Sequence, residues 1–226
     1  MQDVTQGKIL YIVANFKSNK TEDEAKNWLD NFKNYKGENA KQIILCPPFT
    51  LLPTFKNFIK INSLQISLGA QNVSQFDEGP YTGEENAKQI KEFADYVLIG
   101  HSERRNLLNE TDEMISEKVR NSISNELIPI FFVQTPDRAI PSGVELVVYE
   151  PPSSISGASG GIADDIDDVL KAAEKIKVAG QYQVLYGGSV NPANVNDFTS
   201  RTQISGVVVG KESLEADEFI RVIENA

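Results

Sequence analysis

Short apolar runs alternate with amphipathic stretches along nearly the whole of this chain, and that alternation restricts its fold more than any other feature. The apolar runs lie at residues 9–15, 42–46, 65–70, 96–100, 128–133, 145–149, 183–186 and 206–209. They are rich in valine, isoleucine and leucine with little alternation, the pattern of strands buried on both faces of a parallel sheet. Helical patterns lie between them at 21–35, 51–59, 83–93, 111–125, 163–179, 192–199 and 215–224. Thr21 and Thr111, each followed by an acidic residue, suit helix N-caps, and Pro192 suits a first helical turn. Strand–helix alternation at this period predicts a parallel sheet with helical cover. Eight strands close a barrel, whereas fewer leave an open doubly wound sheet. The expected fold is therefore a (β/α)8 barrel in one domain, residues 1–226. Its fifth crossover is reduced, because only 134–144 separates the fifth and sixth runs.

Charge narrows the partners. With 22 basic and 32 acidic residues the net charge is −10, which argues against nucleic acid or an anionic membrane surface as the main partner. Cys46 is the sole cysteine, so no internal disulfide is possible, as suits a reducing cytoplasm. The apolar segment 9–14 is too short for a signal-peptide core or a membrane span.

If the chain is a barrel, chemistry belongs at the carboxyl ends of its strands. The first run ends in Asn15-Phe16-Lys17, the fourth in His101-Ser102-Glu103 and the sixth in Glu150. The seventh ends in Gly187-Gly188-Ser189 and the eighth in Gly210-Lys211. A lone histidine is more often a satisfied turn residue than a catalyst, and a lysine after a strand is usually solvated. Their joint occurrence at strand ends is what carries weight. The glycine turns let backbone N–H groups point at a phosphate, so fixed donors can hold an anion in an acidic protein.

Other chemistries fit poorly. The stretch 206–212 is one residue short of a nucleotide P-loop, and Glu212 stands where a hydroxyl is needed. One histidine and one cysteine cannot form a His/Cys metal cluster, and no Gly-x-Ser-x-Gly nucleophile motif occurs. The small residues at 157–161 lack dinucleotide-binding spacing and read as part of a lid over 151–161.

Several segments together resemble one family: Ala14-Asn15-Phe16-Lys17, Cys46-Pro47-Pro48-Phe49-Thr50, Gly69-Ala70-Gln71-Asn72-Val73, Tyr81-Thr82-Gly83-Glu84, Gly100-His101-Ser102-Glu103-Arg104-Arg105, Tyr149-Glu150-Pro151, Tyr186-Gly187-Gly188-Ser189-Val190 and 206–211. The chain resembles the triosephosphate isomerases nearly end to end, and in its shortness the compact, archaeal-type members. The resemblance implies interconversion of dihydroxyacetone phosphate and glyceraldehyde 3-phosphate in glycolysis and gluconeogenesis, in the cytoplasm, with no cofactor and no metal. It assigns Glu150 as the base, His101 as the electrophile, Lys17 as a positive charge near the substrate oxygens, Asn15 as a polar neighbour and Glu103 as a residue that steadies the site. Asn15, Lys17, Ser156, Gly187, Gly188, Ser189, Gly210 and Lys211 would hold the substrate and its phosphate. The loop 71–83, with Tyr81 and Thr82 near its tip, would insert beside a second copy in a homo-oligomer, expected to be a homodimer.

The chain departs from the family in places. The lid reads Ile155-Ser156-Gly157-Ala158 where Ile-Gly-Thr-Gly is usual, and Phe16 stands where tryptophan is common. Lys211 replaces a small residue. On the fifth strand the usual Cys-x-Gly-Glu becomes Phe132-Val133-Gln134-Thr135, a change expected to affect packing behind the base rather than the chemistry. The altered lid motivates an alternative: a catalytically weak or inactive barrel that binds phosphate. A different sugar-phosphate barrel enzyme would share the glycine turns but has no reason to carry the His101 block.

Overall fold

The computed structural model describes residues 9–226 apart from 34, 36, 38, 39 and 155–163. Eight parallel strands close into a barrel in chain order: β1 (Leu10–Asn15), β2 (Lys41–Cys46), β3 (Ser67–Ala70), β4 (Tyr96–Ile99), β5 (Ile128–Val133), β6 (Leu146–Tyr149), β7 (Gln183–Tyr186) and β8 (Gly206–Val209). The helices are α1 (Glu22–Phe32), α2 (Leu52–Ile61), α3 (Ala87–Lys91), α4 (Ser102–Leu107), α5 (Asp112–Ser124), α6 (Ile166–Gly180), α7 (Val195–Thr199) and α8 (Ala216–Asn225). No helix lies between β5 and β6, only turns, so the expected thin crossover is borne out. No helix among the described residues is long and apolar enough to cross a membrane.

The apolar runs that look continuous in sequence divide by period two into an inner and an outer set. Val13, Ile44, Leu98, Ile130, Phe132, Leu146, Val148, Leu185 and Val208 form one cluster, the barrel interior. Their chain neighbours, including Ile12, Ala14, Ile43, Val97, Phe131, Val147, Val184 and Val207, join the larger cluster under the helices.

Barrel closure at the β1–β8 seam depends on one missing side chain. Gly206 pairs with Tyr11, and a Cβ there would stand 2.1 Å from the Tyr11 carbonyl oxygen. Backbone on both sides of that contact cannot yield without parting the strands. Gly206→Ala is expected to destabilise the protein by about 3 kcal/mol, read as a lower urea midpoint. An unchanged midpoint would show that the seam opens freely.

Candidate active site

Two residues beyond the barrel interior on the same inward period come Asn15 after Val13, Gln134 after Phe132, Glu150 after Val148, Gly187 after Leu185 and Gly210 after Val208. The packing rule that fills the barrel therefore also delivers polar groups to its rim.

Strand β4 breaks the rhythm. Gly100 takes φ +79°, a left-handed conformation that favours glycine, and Arg105 Nε donates to its carbonyl at 2.7 Å. The turn makes His101 the N-cap of α4, with imidazole Nδ1 accepting from the Glu103 backbone N–H at 3.2 Å. An accepting Nδ1 carries no proton, so the neutral ring carries its proton on Nε2. That nitrogen lies 3.3 Å from Glu150 Oε1. Burial holds the imidazole pKa below its ordinary 6.5; the carboxylates of Glu150 and Glu103 pull the other way, and Lys17 and Arg104 add to the lowering. Phe132 meets the ring edge-on at 4.9 Å and helps keep it dry.

Glu150 is 4% exposed. Its Oε2 accepts from the Ser102 backbone N–H at 3.0 Å and from Gln134 Nε2 at 3.4 Å. Gly187 stands behind it, where a Cβ would meet Val148 Cγ1 at 2.5 Å and approach Glu150 Cβ to 3.6 Å. Glycine there lets the end of β7 close against Glu150.

Lys17 sits across the rim. It holds φ +51°, a strained setting for a side-chain-bearing residue. Asn15 Oδ1 accepts from its backbone N–H at 3.1 Å, and Gln71 Nε2 donates to its carbonyl at 2.9 Å and to that of Cys46 at 2.8 Å. Between Asn15 and Lys17, Phe16 is buried edge-on to Trp28 at 5.0 Å and Phe55 at 5.6 Å, anchoring the turn. Lys17 Nζ pairs with Glu103 Oε1 at 2.6 Å. A Cβ on Gly210 would lie 3.6 Å from Lys17 Cε, so the end of β8 adjoins the same amine. A cavity of about 260 Å³ opens here, lined by Asn15, Lys17, Gln71, His101, Glu103 and Leu108 among others.

A buried charged cluster fixes the scaffold underneath. Glu110 Oε1 accepts from Arg104 Nε of α4 and from Lys118 Nζ of α5, and Lys118 also donates to Asn72 Oδ1 at 2.7 Å. Burial lowers the Lys118 pKa, with Glu110 opposing. The cluster ties both helices to the root of the loop 71–83.

Sequence comparison agrees with this geometry. A model of the Triosephosphate isomerase family matches residues 10–140 and 139–226. This chain belongs to the triosephosphate isomerase family. It is 33% identical to the triosephosphate isomerase of Dictyoglomus thermophilum, over 95% of this chain and 98% of that protein. It is 30% identical to that of Alkaliphilus metalliredigens (94% and 97% covered) and 31% identical to that of Gloeobacter violaceus (94% and 96% covered).

Within this family member, Asn15, Lys17, His101, Glu103 and Glu150 stand together at one rim, with Gly187 and Gly210 beside them. Gly188 and Ser189 continue the turn after β7, where the Ser189 carbonyl accepts from Asn194 Nδ2 at 2.9 Å. Lys211 is exposed at the start of a short 3-10 helix, Lys211–Leu214. Ser156 and most of the expected lid lie outside the described residues; Pro152–Ser154 form a 3-10 turn directly after Pro151.

Three contributors were missed in the sequence. The Ser102 N–H belongs to α4, whose Ser-Glu-Arg-Arg start shows no apolar period. Gln71 reaches back from the start of the segment expected to be the oligomer loop. Gln134 reads in sequence as a packing residue, yet its amide lies 3.4 Å from the carboxylate of Glu150.

Proposed function

We propose that the protein is a triosephosphate isomerase, one barrel domain over residues 1–226, that interconverts dihydroxyacetone phosphate and D-glyceraldehyde 3-phosphate. The observation that carries this is the 3.3 Å approach of Glu150 Oε1 to His101 Nε2 in a buried cup beside Lys17 and Asn15. Glu150 takes a proton from the carbon next to the carbonyl, becoming a carboxylic acid, and returns it to the neighbouring carbon. The C–H electron pair moves into an enediolate. The His101 Nε2–H faces the oxygen where that charge develops, and a fixed donor in a buried site stabilises it strongly. In the resting site Nε2 stands 3.3 Å from Glu150 Oε1, and the substrate oxygen takes its place as the partner of this N–H. The hydroxyl proton passes between the two substrate oxygens beside the imidazole. Lys17 adds positive charge, steadied by Glu103, while Asn15 shapes the turn that holds it.

The phosphate is assigned to the glycine turns after β7 and β8, through Gly187, Gly188, Ser189, Gly210 and Lys211, with Ser156 from the lid. Backbone N–H groups answer a dianion without net positive charge.

A homodimer is assigned to the loop 71–83. Phe76 and Tyr81 stack at 4.1 Å and are 37% and 41% exposed, and Leu107 and Leu108 are 74% and 59% exposed near the site. Exposed apolar side chains on this loop and beside the site suit a second copy of the chain. The place of action is assigned to the cytoplasm.

The test is a coupled assay on purified protein, started from either triose phosphate, with light-scattering mass on the same sample. Turnover in both directions by a dimer is expected. Phosphate-ligand binding without turnover would replace the reading with that of a binding protein.

A further inference from the structure

Strand β5 runs into the site through residues that depart from the family pattern, and one of them contacts the base. We propose that Gln134 is a positioning residue for Glu150, holding its carboxylate in register with the turn that carries His101. The inference rests on the isomerase reading above and adds a residue to its machinery.

Four observations support it. Gln134 follows Ile130 and Phe132 on the inward period of β5, so the strand aims it into the cup. Its Nε2 lies 3.4 Å from Glu150 Oε2 and 3.4 Å from the Gly100 carbonyl oxygen, one target for each of its two N–H groups. The reversed amide would put Oε1 against those same two oxygens, so the surroundings select the donor orientation. Gln134 Oε1 is itself buried with no hydrogen-bond partner among the described residues. The amide is therefore placed by what its nitrogen holds, since its oxygen gains nothing from the pose.

The geometry supplies a purpose. The Ser102 N–H fixes Oε2 from α4; one bond alone leaves the carboxylate free to pivot about it. Gln134 supplies a second donor from a different element, the turn directly after β5. The carbonyl it shares is already held by Arg105 Nε, so the bridge runs to a rigid point. With Oε2 engaged by two donors, Oε1 is left as the oxygen facing His101 and the reacting carbons.

Gln134→Met tests this, because methionine fills a similar length and cannot donate. Turnover, kcat, is expected to fall about tenfold, the scale of one hydrogen bond to a charged group. KM and the inhibition constant of inorganic phosphate are expected to stay within about twofold, with an unchanged melting temperature. Gln134→Glu sets a carboxylate against a carboxylate and is expected to lose more of kcat than methionine does. A Gln134→Met enzyme with wild-type kcat overturns the proposal, as does a parallel shift of kcat, KM and melting temperature, the mark of a packing role. If the methionine variant does not fold, Gln134→Ala is judged by the same split. A wild-type protein that fails to turn over triose phosphate refutes the isomerase reading before any variant is made, so the two failures are distinct.

Discussion

Glu150→Gln is expected to lower kcat by about 10²–10⁴-fold, the usual contribution of a positioned general base, while leaving phosphate affinity nearly intact. Glutamine keeps the shape of the side chain and can still accept from the Ser102 N–H through its carbonyl oxygen, but it cannot take a proton. The glycine turns assigned to the phosphate belong to β7 and β8 and do not depend on the carboxylate. Glu150→Asp keeps the charge and withdraws the carboxylate by one methylene, so turnover again falls far more than affinity. Steady-state kinetics with inorganic phosphate as inhibitor separates the two quantities. A glutamine variant within threefold of wild type would remove Glu150 from the reaction.

His101→Gln is expected to cost about 10²–10³ in kcat, as removal of a fixed donor at a developing oxyanion does. The protonation state behind that role can be read directly, because His101 is the only histidine. In protein labelled with ¹⁵N at histidine, one ring should show a proton on Nε2 and none on Nδ1, and should titrate with a midpoint below the ordinary 6.5. The direction follows from burial, which outweighs Glu150 and Glu103, while Lys17 and Arg104 reinforce it. The sign carries over to stability. Between the lowered folded value and about 6.5 the unfolded chain binds more proton than the folded one, so stability falls as pH drops through that window. A midpoint above 6.5, or a proton on Nδ1, would contradict the assignment.

Legibility in the sequence varied with how local the physics was. Strands β5, β7 and β8 have the bounds expected of them, because buried strands announce themselves as apolar runs cut off by turn residues. The helix expected at 83–93 shrinks to α3, since Asn86 caps it through a reciprocal pair with Gln89 and the residues before it serve the loop. The helix α4 went unseen: five of the six residues from Ser102 to Leu107 are polar, and what holds them helical is capping by His101 and the anchoring of Arg104 and Arg105. Gln134 looked like packing because nothing in Phe132-Val133-Gln134-Thr135 says which residue of another strand lies opposite.

From residue order alone came the repeated strand and helix pattern, the strand ends where polar groups gather, and the residue types able to move a proton next to a carbonyl. Those are consequences of periodicity and side-chain chemistry, both readable along one dimension. Only the folded barrel determined that Glu150 faces His101, that a backbone N–H of α4 places the imidazole proton on Nε2, and that an amide just past β5 reaches the carboxylate of Glu150. Each of those is a contact between separate elements or a turn geometry, and it exists only once closure of the sheet sets the register of the strands.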